Sequence, residues 1–417
     1  MAADQISRMH ALLEKSVLAP LSVIVLMQSV IVMSTYGIPV VVPDAAGDIG
    51  IPPEWIGYLF ATIYAAASLS GLLSGRMVAV WGPTWSFRAL MVAVVLGSIA
   101  LIGAHPLLAF LSAALLGLAT GPMNPVGSFV LVRISPPGWQ ALIFSLKQCA
   151  TPAGGMLAGL ILPPLAVLWG WQAAFAVVPL LAVLFFLAAG YGDLGGPRRS
   201  APVPPGAPPR PAGGGMLDSL RLAVAGRQIA ATAVAGMLFA GSQVALLAYL
   251  VVYLWQEAGM STTEAGFAFA LINVTGIAAR IGLGWLAERH VETAILLFVS
   301  AAGMGVGVIC IAYFSAAWPL WIMYAVIAVT GVFGNGWVGL LFAELARLAP
   351  DGHTAEAAGG GQVFMYGGVF LTPLACGAAL EATGRYGALF TLLAGLAFVA
   401  AAVLLWGRAG SANPAAR

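Results

Sequence analysis

Long apolar runs separated by short polar breaks dominate this chain. Twelve runs recur, at 17–42, 55–80, 85–104, 106–133, 139–166, 170–191, 226–255, 263–287, 291–314, 317–346, 355–380 and 385–407. Each reaches about 20 residues or more, the length an α-helix needs to cross the hydrocarbon of a bilayer, whereas barrel strands span it with about half that. The pattern predicts an all-α membrane protein of twelve transmembrane helices. The first run is too long for the core of a signal peptide and reads as a retained helix. After the sixth run the pattern stops at 192–215, where PRRSAPVPPGAPPRPAGGG cannot continue a helix. Its prolines and glycines predict a flexible or partly extended linker. The chain thus divides into an N-terminal six-helix bundle (1–191), a linker (192–225) and a C-terminal six-helix bundle (226–417).

Composition sharpens this reading. Of the 417 residues 61% are hydrophobic and 8% charged, against roughly 25% charged in soluble proteins. The chain is therefore expected in a lipid bilayer. A net charge of +2 does not suggest a nucleic-acid surface. Cys149, Cys310 and Cys376 lie in apolar runs and read as core-packing residues, with no disulfide or metal site implied.

Charge also orients the chain. With an even number of helices both termini share one side. On that side fall Arg8, Lys15, Arg76, Arg88, Arg133, Arg198, Arg199, Arg210, Arg221, Arg227, Arg289, Arg347, Arg408 and Arg417. The opposite loops carry Arg385 among the acids Asp44, Asp48, Glu54, Glu257, Glu264 and Glu381. Basic loops stay cytoplasmic, so both termini and the linker are predicted inside.

An internal repeat accompanies the two bundles. A shift of 209 residues lays Gly50 and Gly57 on Gly259 and Gly266, Phe60 on Phe269, Ala61 on Ala270 and Gly75 on Gly284. Two related halves joined by a linker are the build of a rocking transporter, with substrate between the repeats. In this the sequence resembles the major facilitator superfamily, whose loop signature Gly-x-x-x-Asp-Arg-x-Gly-Arg-Lys lies between helices two and three and is often echoed between eight and nine. The echo here is Gly284-Trp-Leu-Ala-Glu288-Arg289. The first copy keeps Gly75 and Gly82 but has Ala79 and Val80 where the signature is charged. The resemblance implies that Gly75, Gly82, Gly284, Glu288 and Arg289 form a gating-loop motif.

Candidate chemistry lies in the few polar groups at membrane depth. Arg280 is about seven residues from the cytoplasmic end of its run and Lys147 about eight residues into its own, roughly 12 Å deep at ~1.5 Å per residue. Ionisable groups at such depth mark functional sites. Under the repeat, Arg280 falls on Gly71 and Asn273 on Tyr64, so neither polar group belongs to the shared scaffold. The apolar runs offer no mid-membrane Asp, Glu or His. Two buried cations would repel one another, a cost that an anionic substrate would offset. A carboxylate suits a guanidinium fork and an ammonium point charge. Asn273, Asn124, Tyr36, Gln28, Gln243, Asn335 and Tyr366 complete the candidate substrate-binding set. Asn273 is two turns before Arg280, Asn124 lies between Pro122 and Pro125, and Tyr366 is one turn from Gln362.

The placement of Arg280 before Gly284 is similar to that in monocarboxylate and oxalate-type carriers, and GNGWVGLLFAELARLAP resembles a frame in cyanate-permease-like bacterial members. These resemblances imply a monomeric symporter or antiporter of the prokaryotic inner membrane. Its partners would be a small anionic substrate and a coupled proton or counter-anion, with no cofactor. Where proton-linked carriers often have an acid one turn before the arginine, this chain has Gly276. An alternative is a proton-driven multidrug or metabolite exporter, suggested by Pro152-Ala-Gly154-Gly155 in the fifth run. No catalytic constellation appears, so an enzyme is not expected.

Overall fold

A computed structural model describes residues 15–136, 139–189, 194, 216–351 and 353–409. The predicted linker thus falls largely outside the described residues. Eleven helices are long and apolar enough to cross a membrane among those described, as expected of a multi-pass membrane protein.

The described residues cluster into two compact units. The first comprises 1–52 and 62–201. It contains α1 (Lys15–Ile49), most of α2 (Ile56–Ile102), α3 (Pro106–Ile134), α4 (Gln140–Gln148), α5 (Ala150–Trp169), α6 (Trp171–Phe175) and α7 (Val177–Ala188). The second comprises 53–61 and 202–417. It holds α8 (Met216–Ala223), α9 (Arg227–Gln256), α10 (Thr262–Arg289), α11 (Thr293–Ala312), α12 (Leu320–Asn335), α13 (Val338–Leu348), α14 (Thr354–Thr383) and α15 (Tyr386–Ala409). The second unit also takes in the opening turns of α2, where Tyr58 Oη donates to Glu381 at 2.8 Å.

Two apolar runs of the sequence, 55–80 and 85–104, join as α2, which bends at Gly82 (φ 75°, ψ 165°). That backbone region is open essentially to glycine alone, and Pro83 follows at once. Three other runs are interrupted instead. The fifth breaks at Cys149, the sixth at Ala176, and the tenth at Gly336 and Trp337.

Each unit is built around one helix. In the first, α1 packs on α5 and α3, and about two thirds of its most apolar stretch is buried. In the second, α9 packs on α14 and α15, with 89% buried. A helix so enclosed must be apolar all round, which is why neither run shows a polar stripe. The two end alike: Gly50 (φ 76°) and Gly259 (φ 73°), 209 positions apart, both take positive φ just past their helices. The backbone N–H groups of Gly50 and Ile51 return to the Ala46 carbonyl, closing the α1 end. Conversely, Leu107, Val167, Leu168, Leu180 and Trp321 stand well exposed, as side chains facing lipid do.

Candidate functional site

Each unit brings one of the predicted cations to a break or end of a helix. In the first, Lys147 lies in the last turn of α4, just before the break at Cys149, and is 3% exposed. Its Nζ donates to Ser128 Oγ at 2.7 Å and to the Asn124 carbonyl at 3.2 Å, both on α3. The Phe144 ring lies 5.6 Å away. Asn124 therefore contributes its backbone to Lys147. An ammonium has three donors, and the acceptors it meets here are neutral. A buried charge held by neutral dipoles costs free energy that only a counter-charge fully offsets.

Gln28 occupies the same unit but faces a different partner. Its Nε2 donates to the Met123 carbonyl at 2.7 Å, and the side chain is 2% exposed. This bond ties α1 to α3, where a Cβ on Gly127 would collide with the Gln28 amide. Tyr36 is likewise buried in α1.

The second unit assembles a connected polar network. Where α12 stops at Asn335, its last carbonyls lose their helical donors, and Arg280 Nε of α10 donates to the Asn335 carbonyl at 2.9 Å. A cation at a helix C-terminus also meets the favourable end of the helix dipole. The Asn335 side chain is fixed in turn: Nδ2 donates to the Ile272 carbonyl at 3.0 Å, and Oδ1 accepts from Gln243 Nε2 of α9. Gln243 Oε1 accepts from Trp337 Nε1 at 3.0 Å, which also reaches the Gly334 carbonyl. Trp337 is fully buried and stacks on Phe239 with centroids 4.3 Å apart. Arg280 itself is half-buried.

Of the candidates in this unit, Arg280, Asn335 and Gln243 thus come together. Asn273 does not join them: it is 1% exposed, and its Nδ2 donates to the Phe269 carbonyl one turn back. Tyr366 is partly buried on α14, one turn from Gln362. Gly276 has a packing reason to lack a side chain, since a Cβ there would overlap Asn335 Cβ and approach its Cγ to 3.1 Å. An acid at that position has no room beside the network.

Ser128 and Trp337 escaped the reading of the sequence. Ser128 lies one helical turn after Asn124, on the same face of α3. Trp337 closes the Gly334-Asn335-Gly336-Trp337 stretch, and a tryptophan after two glycines in an apolar run could have marked a helix break with a polar anchor.

The gating-loop residues differ between the copies. Gly82 forms the bend in α2, while Gly75 and Gly284 stand in helices with nothing within 4 Å of where a Cβ would lie. Glu288 and Arg289 are exposed, and Arg289 lies over the Trp285 ring at 5.8 Å. Ion pairs among the described residues, such as Arg347–Glu344 and Arg408–Glu292, occur elsewhere.

The family model described as Major Facilitator Superfamily matches residues 24–373. No curated protein matches the chain at a significant level. Solved structures share the fold at low identity. A D-xylose-proton symporter superposes with a TM-score of 0.72 at 14% identity, covering 93% of this chain and 97% of the other. The peptide transporter POT in complex with sulfate gives 0.69 at 19%, covering 93% and 95%. A bacterial homolog of the human lysosomal transporter Spinster, inward-facing and unoccupied, gives 0.68 at 15%, covering 96% of each.

Proposed function

Because the chain belongs to the major facilitator superfamily, a family of membrane transporters and not of enzymes, we propose that it is a secondary transporter of a small organic anion, a mono- or dicarboxylate. Alternating access moves the anion, with Arg280 and Lys147 as the cations that attract it. The bend that divides α2 into two arms supports a reading of twelve spanning helices. The one-sided arginines support a topology with both termini and the linker in the cytoplasm, and the membrane is taken as a prokaryotic inner membrane. The protein works as a monomer, with a coupled proton or a counter-anion balancing charge.

One observation carries this reading. Lys147 is buried within an apolar run on two neutral acceptors, a placement that an anion stabilises and a cationic substrate would worsen. Gly276, packed on Asn335, leaves no acid one turn before Arg280. Movement is therefore expected to proceed as anion exchange or to follow the protonation of the substrate. Liposomes bearing the purified protein and loaded with one carboxylate should take up a labelled second carboxylate without a pH gradient. Uptake of cationic drugs, with none of carboxylates, would instead favour the exporter.

A further inference from the structure

The first unit carries a second cationic site far simpler than the one around Lys147. At the Gly82 bend, Val80, Trp81, Trp85, Val92 and Phe186 wall a groove of about 440 Å³ around Arg88. That volume falls within the ~300–1,000 Å³ of small-molecule sites. The walls are apolar, and Val80, Trp81 and Trp85 are 62%, 49% and 58% exposed. Arg88 lies six residues past the bend, about 9 Å along the helix at ~1.5 Å per residue, and Phe186 is in the last turn of α7. The groove therefore opens where α2 bends and α7 ends, and its two tryptophans suit the level at which tryptophans gather in membranes.

Arg88 is held in a fixed pose. Its Nε donates to the Phe186 carbonyl at 3.3 Å, one of the last carbonyls of α7 and open to an outside donor. Its guanidinium lies 4.8 Å from the Trp85 ring centroid and 5.3 Å from that of Phe186. Among the described residues, its Nη groups make no hydrogen bond or ion pair. What it presents to the groove is the planar fork that grips a phosphate through paired N–H groups. The sequence agrees from another direction: Ala79 and Val80 stand where the superfamily's loop signature is charged, and Trp81 follows them. The loop has exchanged a charged surface for an apolar one beside a held arginine.

We propose that this groove binds an anionic glycerophospholipid, its phosphate on the Arg88 fork and an acyl chain along Val80, Val92 and Phe186. A zwitterionic lipid fills the apolar part equally well but brings its own cation to the arginine. A free phosphate satisfies the fork but leaves the apolar wall uncovered. Binding of the anionic lipid favours the bent α2 and its seat on α7, and thus stabilises the first unit.

The test uses the full chain, stripped of lipid in detergent, with phosphatidylglycerol, phosphatidylcholine or inorganic phosphate added. Native mass spectrometry reads lipid retention and thermal unfolding reads protection. Wild type should prefer phosphatidylglycerol about fivefold to tenfold, and inorganic phosphate should protect little. Arg88→Gln should bring the preference to about one, while Arg133→Gln, whose arginine lies on Phe129 outside the groove, should keep it. Should Arg88→Gln fail to fold, two variants decide. Arg88→Lys should keep part of the preference, and Val92→Trp, which fills the groove, should weaken retention of both lipids. Equal retention of the two lipids by wild type, an unchanged preference in Arg88→Gln, full preference in Arg88→Lys together with unweakened retention in Val92→Trp, or equal protection by inorganic phosphate would overturn the proposal.

Discussion

Gln243→Met tests whether the network of the second unit positions Arg280. Methionine keeps the length and most of the volume of the side chain but neither gives nor takes these hydrogen bonds. Two bonds disappear, from Gln243 Nε2 to Asn335 Oδ1 and from Trp337 Nε1 to Gln243 Oε1. Trp337 keeps the Gly334 carbonyl, so its share of the loss is small. Asn335 Oδ1 loses the donor from α9 in a side chain that is 3% exposed. Side-chain bonds between membrane helices average only about 0.6 kcal/mol, whereas leaving a buried acceptor unsatisfied costs about 1–3 kcal/mol. The second effect dominates, and a total loss of about 1–3 kcal/mol is expected. Arg280 stays in place but is oriented by an Asn335 that can shift. The worth of one neutral hydrogen bond, about 0.5–1.5 kcal/mol, then sets the loss of substrate affinity at about twofold to tenfold. Thermal unfolding in detergent reads the first quantity and substrate titration the second. Wild-type values of both in Gln243→Met would refute the positioning role.

Three further outcomes follow from the geometry. Lys147→Gln should unfold at or above the wild-type temperature, because it removes a buried charge held by neutral acceptors, yet bind substrate more weakly; a clear loss of stability would show that the charge is already compensated. Gly82→Ala should destabilise by about 1–3 kcal/mol at its φ of 75°, whereas Gly284→Ala, with open space at its Cβ, should be near neutral in the same unfolding assay. Single cysteines at 195–215 should react with impermeant reagent only from the cytoplasm and one near Asp48 only from outside; labelling of the linker from outside in intact cells would reverse the orientation.

The spanning helices were legible because their length and apolarity are set by the bilayer. The pair Gly50 and Gly259, picked out by the 209-residue shift, both take positive φ just past a helix. Helix interruptions were not legible. The breaks at Cys149 and Trp337 leave hydropathy unchanged, since a broken helix in an apolar surrounding needs the same residues as a whole one. Depth along a helix was therefore readable for Lys147 and Arg280, but their partners were not. Asn273 and Arg280 are seven residues apart and read as one face, yet Asn273 spends its amide on the carbonyl of Phe269. Asn335 and Gln243 read as separate cavity walls, yet they bond one another. Such pairings depend on the approach of α9, α10 and α12, which glycines such as Gly276 permit and which no local pattern announces.

The central claim is that Arg280 binds the anion. Its Nε donates to the Asn335 carbonyl, which fixes where the guanidinium sits. Charge-assisted bonds contribute about 1.5–3 kcal/mol each, or roughly ten- to over a hundredfold in affinity per bond. The decisive measurement is calorimetric titration of a transported carboxylate into wild type, Arg280→Lys and Arg280→Gln. Arg280→Lys, which keeps the charge without the fork, should bind weakly, and Arg280→Gln should show no measurable binding while it still elutes as a folded protein. Wild-type affinity in Arg280→Gln would contradict that claim.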